Sequence, residues 1–126
     1  MQLKDIMREL SLTRLNPMAG QENTLEATAG HASDLLSDVL ANAPGGSVLI
    51  TIQVHMNVIA VSLHAGVAAV IFTSGLCPEK AVVDKATEEA LPLYSSQETT
   101  FDIVGRLYSL GLRGDKGREL PRLGSI

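Results

Sequence analysis

Residues 32 to 61, ASDLLSDVLANAPGGSVLITIQVHMNVIAV, place a helix, a turn, a strand and an unusually apolar helix in unbroken succession. Ser33 is a natural N-cap, Asp34 complements the dipole of the first turn, and Leu35, Leu36, Val39 and Leu40 make one helical stripe ending near Ala43. Pro44-Gly45-Gly46 supplies the turn. Val48 to Ile52 is a β-branched run of the kind found in strands buried on both faces. A strand of that type requires cover above and below, which points to a parallel α/β sheet.

The rest of the chain extends the pattern. Leu3, Ile6, Met7 and Leu10 have helical spacing, and the segments Leu12 to Leu15 and Leu25 to Thr28 read as short strands separated by Asn16-Pro17 and the Gly20 region. Val67 to Phe72 is a second buried strand. Pro78 suits the first turn of a helix reaching about Ala90, with Val82, Val83, Ala86 and Ala90 as its stripe. Leu91 to Tyr94 is a third strand. Thr99 or Thr100 caps a last helix that offers Phe101, Val104, Leu107 and Tyr108 for packing, and Gly111 terminates it. The expected fold is a single small α/β domain over residues 1–111, mainly a parallel sheet with a βαβαβα core from Val48 onward and flanking helices. The Gly-, Pro- and charge-rich residues 112–126 read as a flexible C-terminal tail.

Between His55 and Ala65, Met56, Ile59, Ala60 and Leu63 gather on one helical face and Val58, Val61 and Ala65 on another. Both faces need cover, one from the sheet and the other from a neighbouring helix or a second subunit. A homodimer or higher oligomer is expected, with Met56, Ile59, Ala60 and Leu63 as its interface.

Composition excludes several classes of partner. The net charge of −4 with scattered basic residues gives no footprint for nucleic acid or an anionic membrane. The amino terminus lacks the apolar stretch of a secretory signal, and no run of about 18 apolar residues suggests a span. One cysteine, Cys77, excludes an intrachain disulfide and cannot alone hold a metal. A soluble cytoplasmic protein without metal or cofactor is expected.

In parallel sheets, ligands bind beyond the carboxyl ends of the strands. Here those ends carry Gln53-Val54-His55, Thr73-Ser74-Gly75 and Ser95-Ser96-Gln97. Small hydroxyl residues beside helix starts can present donors to a nucleotide or phosphate, although Ser, Thr and Gly also serve such turns for conformational reasons alone. The candidate ligand-binding set is Gln53, His55, Thr73, Ser74, Gly75, Ser95 and Ser96. His55 is either a general base or a histidine at a helix start bonded to a nearby loop. His31 and His64 read as solvent or interface residues, since no metal-ligand spacing accompanies them. Asp34 and Asp38, at i and i+4, mark either a cation or arginine site or a solvated helix face. Cys77 follows a strand-end turn, where it serves as filler or as a thiol with a lowered pKa. No phosphate loop, GxGxxG or GxSxG motif is present, so the main ATPase, dinucleotide oxidoreductase and hydrolase signatures are missing and a non-catalytic role is expected.

From Ser33 to Tyr108 the chain resembles the DRTGG domain family, on SDLLSDVLANA, the strand LITIQ, and VAAVIFTSGLCPEKAVVDKATEEALPLYSSQETTFDIVGRLY. That family is a small α/β regulatory module found within phosphotransacetylases and beside CBS domains in regulated pyrophosphatases. It is similar to the N-terminal domain of HPr kinase/phosphorylase and also occurs alone, some members being encoded near iron hydrogenase genes. Where many members carry Asp-Arg after the first strand this chain has Gln53-Val54-His55, and their Thr-Gly-Gly is Thr73-Ser74-Gly75 here. The resemblance implies a non-catalytic domain that dimerises and relays a signal; with the strand-end reading above, the expectation is a homodimeric regulatory or scaffolding module with a small anionic ligand such as a nucleotide or phosphate at the strand-end edge. Two alternatives stand beside it: an adaptor for a redox, hydrogenase-type enzyme complex, and an enzyme acting on a phosphorylated metabolite with His55 as base and the turn at Thr73–Gly75 as phosphate cradle.

Overall fold

A computed structural model describes residues 1–17 and 25–115. The turn expected around Gly20 and the tail from residue 116 onward lie outside the described residues. In chain order the elements are α1 (Leu3–Glu9), β1 (Thr13–Arg14), β2 (Ala29–Ala32), α2 (Leu36–Asn42), β3 (Ser47–Thr51), α3 (Asn57–Ala65), β4 (Ala69–Phe72), α4 (Lys80–Glu88), β5 (Leu93–Ser95) and α5 (Thr100–Ser109). The fold is α/β: five described strands form one sheet in the order β1-β5-β4-β3-β2, parallel except for β1.

Consecutive parallel strands are neighbours, so every crossover from β2 to β5 steps in the same direction and α2, α3 and α4 fall on one face. Leu49, Val70, Phe72 and Leu93 meet Val39, Val58, Ile59, Val82 and Ala86 in that layer. The alternate strand residues Val48, Ile50, Ala69, Ile71 and Tyr94 meet Leu3, Ile6 and Leu10 of the α1 segment and Ile103 and Leu107 of α5 on the opposite face. This two-residue alternation explains why β4 is apolar throughout and β3 apolar over Val48-Leu49-Ile50.

The parallel sheet has one more strand than expected. Residues 25–28 do not form a strand, contributing an isolated bridge between Glu26 and Gln2, and pairing with β3 instead draws Ala29-Gly30-His31-Ala32 into β2. That segment has little intrinsic β preference, and partner geometry decides it. At the other edge, Asn16 is fully buried rather than a turn residue. Its side chain donates to the Leu91 carbonyl and accepts from the Leu93 N–H, both at 2.8 Å, extending the pairing of β1 with β5 by a side-chain amide.

Several boundaries move. The second helix starts at Leu36, and Ser33 accepts from the Leu35 N–H in the preceding turn instead of capping the helix. α4 ends at Glu88, and Ala90 turns left-handed at φ 58°. Thr99 does cap α5, accepting from the Asp102 N–H at 3.2 Å. The core stripe of α5 is Ile103 and Leu107, however, leaving Phe101 85% and Tyr108 54% exposed. Of the residues expected in the tail, Leu112 is buried in the α1/α5 core and the Arg113 carbonyl accepts from the Gly30 N–H at 2.9 Å.

Candidate functional site

The chain leaves β4 through Thr73 toward α4 on one face and leaves β5 through Ser96 toward α5 on the other. Adjacent parallel strands whose connections part in this way create a crevice at their carboxyl ends. The crevice falls between Thr73-Ser74-Gly75 and Ser95-Ser96-Gln97, two of the three segments expected to carry the site.

The two loops are clasped across it. The Ser74 N–H donates to the Glu98 carbonyl at 2.7 Å and the Gly75 N–H to the Ser96 carbonyl at 2.9 Å. Thr73 Oγ1 and Thr100 Oγ1 lie 2.6 Å apart, and Ser96 Oγ accepts from the Glu98 N–H. Ser74 and Gly75 are both left-handed, at φ 60° and 73°. The left-handed backbone at position 75 favours glycine, and a Cβ there, 2.8 Å from Gln97 Oε1, would also push that exposed side chain aside. The Gly-Gly of the Thr-Gly-Gly pattern is thereby explained, with Ser74 holding the first left-handed position at a conformational cost. Thr73 and Ser95 are buried, whereas Ser74 and Gly75 are exposed.

Gln53 and His55 sit in the turn between β3 and α3, and their side chains serve local backbone. Gln53 Oε1 accepts from the His55 N–H and His55 Nδ1 from the Asn57 N–H, at 3.3 and 3.2 Å. With Nδ1 accepting, a neutral His55 carries its proton on Nε2, which points to a helix-start role and leaves no free lone pair for a general base. The amides of Ser74 and Gly75, expected as the phosphate cradle of an enzyme, are likewise engaged with carbonyls.

Two acidic groups bracket the edge. Asp34, past the end of β2, accepts from Thr51 Oγ1 at 2.9 Å and from the Ile52 N–H at 2.8 Å, tying the β2–α2 turn to the end of β3. It is not on the helix, so Asp34 and Asp38 do not form an i, i+4 pair there. Asp38 instead meets His31, with Nε2 at 2.9 Å from Oδ2, and accepts from Asn42 at 2.8 Å. Hydrogen bonds from Asn42 foremost, then Ser33 and His31, hold its carboxyl down to about 2. On the other side, Glu98 pairs with Arg106, which also donates to the Glu9 carbonyl, linking the clasp to α5 and α1. Sequence spacing gave no signal for either long-range pairing.

The proposed interface residues divide. Ile59 is 1% exposed and packs in the sheet-facing core, so it is unavailable to a second subunit, while Met56, Ala60 and Leu63 remain at the surface. α3 is the middle helix of its layer, flanked by α2 and α4. Those neighbours and the sheet pack Val58, Val61 and Ala65, while Met56, Ala60 and Leu63 keep their outward exposure. Cys77 is exposed, and no group of three metal-ligating side chains occurs among the described residues. No described helix is long and apolar enough to cross a membrane.

The profile of the DRTGG domain matches residues 5–110. The chain belongs to the DRTGG domain family. A solved structure similar to this DRTGG domain comprises the CBS and DRTGG domains of the regulatory region of Clostridium perfringens pyrophosphatase, complexed with the activator diadenosine tetraphosphate. The TM-score is 0.63 at 15% identity, covering 97% of this chain and 52% of that one. The likeness is therefore one of fold, and the DRTGG domain described here spans about half the length of that regulatory region. No curated protein matches the sequence.

Proposed function

We propose that this DRTGG domain is a non-catalytic regulatory or scaffolding module, working as a homodimer and responding to a small anionic ligand, such as a nucleotide or phosphate, at the strand-end edge. The observation that carries this reading is the clasp between the β4 and β5 loops. Because Ser74 and Gly75 donate to Glu98 and Ser96, anything that displaces Ser74 also moves the start of α5. Glu98 in turn holds Arg106 against the α1 end, so the disturbance reaches a helix whose outer face is apolar. Groups placed to meet an anion are the His55 Nε2–H, the exposed Ser74 side chain and the Thr100 and Phe101 amides of α5, the Asp102 amide being taken by the Thr99 cap. That a regulatory region containing a DRTGG domain was crystallised with a dinucleotide activator supports a regulatory role here.

Catalysis on a phosphorylated metabolite is the weaker reading, since the His55 lone pair and the turn amides it would use are engaged within the domain. Service as an adaptor for a redox enzyme complex is a second reading, favoured by the 85% exposure of Phe101.

A thermal-shift panel of phosphate, mononucleotides and diadenosine tetraphosphate tests the ligand reading. At 100 times its dissociation constant a ligand adds about 2.7 kcal/mol, a shift of several degrees. Ser74→Asp is the control, because aspartate tolerates the left-handed backbone while placing a negative charge at the edge. A shift that disappears in the control supports the reading. A flat panel at millimolar ligand removes the ligand and favours the adaptor.

A further inference from the structure

The homodimer invoked above needs a surface. On α3 Ile59 is buried and Met56 and Leu63 are 37% and 38% exposed, whereas α5 exposes Phe101 to 85% and Tyr108 to 54%. Its core side is occupied by Ile103 and Leu107, yet Phe101, Val104 and Tyr108 form a second stripe at i, i+3 and i+7 on the solvent side. Two of the four aromatic residues in the chain stand on this one exposed face. Between them lies Gly105, in mid-helix, with nothing among the described residues within 4 Å of where its Cβ would be. Glycine weakens a helix relative to alanine, and no neighbour within the domain asks for it. Its bare backbone does suit the close approach of another helix.

We propose that α5 is the surface through which two copies of this chain associate, crossing antiparallel about a two-fold axis between Val104 and Gly105. The proposal rests on the homodimer reading. A symmetric contact must be self-complementary, and this register is: each Val104 faces the bare Gly105 of the partner subunit, and each Phe101 faces the partner's Tyr108. Charge selects the antiparallel sense. Glu98 and Arg106 neutralise each other within the domain, but Asp102 lies in the first turn of α5 and Arg113 beyond its end, so antiparallel crossing sets an acidic end beside a basic one and parallel crossing opposes like charges. Ten helical residues extend only about 15 Å, too little for a standard interface of about 800 Å² per partner. The groove of about 580 Å³ beside Gly105, lined also by Glu9, Leu10 and Leu110, widens the surface on one side. Arg113, stacked 3.7 Å from the Tyr108 ring centroid, widens it on the other.

Sedimentation equilibrium over a concentration series, with far-UV circular dichroism as the folding control, tests this. The wild type is expected to be dimeric, and Phe101→Glu and Gly105→Gln to be folded monomers. Gly105→Gln is the sharper variant: a Cβ at this position meets none of the described residues and glutamine is the better helix former, so loss of the dimer with an unchanged circular dichroism spectrum is not a loss of folding. A wild-type dimer that survives both substitutions overturns the α5 assignment and leaves the homodimer standing. A wild type that is monomeric throughout overturns both.

Discussion

The Ser74 N–H donates to the Glu98 carbonyl across the carboxyl ends of β4 and β5, at 2.7 Å, from a residue held at φ 60°. A non-glycine residue in that conformation carries roughly 1–2 kcal/mol of steric cost, partly offset by the backbone entropy that glycine would lose on folding. Ser74→Gly keeps the amide donor and removes the Cβ. It is expected to stabilise the domain by up to about 1 kcal/mol in denaturant unfolding, leaving the clasp intact. Destabilisation would show that the serine side chain contributes more than the strain costs.

Asn16 closes the sheet at the β5 edge through its buried amide. Replacement by leucine removes both hydrogen bonds and leaves the Leu91 carbonyl and Leu93 N–H without these partners, at an expected cost of about 2–4 kcal/mol. Urea unfolding measures it. A change below about 0.5 kcal/mol would mean that water or a rearranged backbone replaces the amide.

Asp38 makes stability depend on pH in acid. Its carboxyl titrates at about 2 in the folded domain against 3.8 ordinarily, chiefly through the Asn42, Ser33 and His31 hydrogen bonds. A folded-state value below the unfolded one gives stability that is fully present above the unfolded pKa and is lost as pH falls toward the folded one. The wild type should therefore lose stability relative to Asp38→Asn between about pH 4 and pH 2. Thermal melts of both proteins across that range check the sign, and parallel curves would remove Asp38 from the account.

Ile59 and Leu63 lie one helical turn apart on α3 yet differ in cover. A charge at the fully packed Ile59 has no partner or water, so Ile59→Asp is expected to cost more than about 4 kcal/mol and to unfold the domain. Leu63→Asp, on the outer side of the same helix, is expected to leave it folded. Circular dichroism of the two variants distinguishes them, and a folded Ile59→Asp would contradict the placement of α3.

Local sequence determined the elements whose pattern is strong by itself. β4 and the Val48-Leu49-Ile50 centre of β3 are apolar at successive positions, which suits a doubly covered strand, and the Thr99 cap and the Pro44-Gly45-Gly46 turn are short-range chemistry. The strand-end segments Thr73–Gly75 and Ser95–Gln97 were legible as a potential site because the alternation of strands and helices fixes where carboxyl ends lie. Tertiary structure decided what periodicity leaves degenerate. Ala29–Ala32 becomes a strand because β3 offers an unpaired edge, and Asn16 becomes a sheet partner because Leu91 and Leu93 need one. α5 carries two apolar stripes offset by about 100°, and helical geometry treats them alike. Only the crossover to the far face of the sheet assigned Ile103 and Leu107 to the core and left Phe101, Val104 and Tyr108 outside. Side-chain pairings such as His31 with Asp38 and Glu98 with Arg106 join residues set adjacent by strand order and helix placement, and a linear pattern holds no record of those distances.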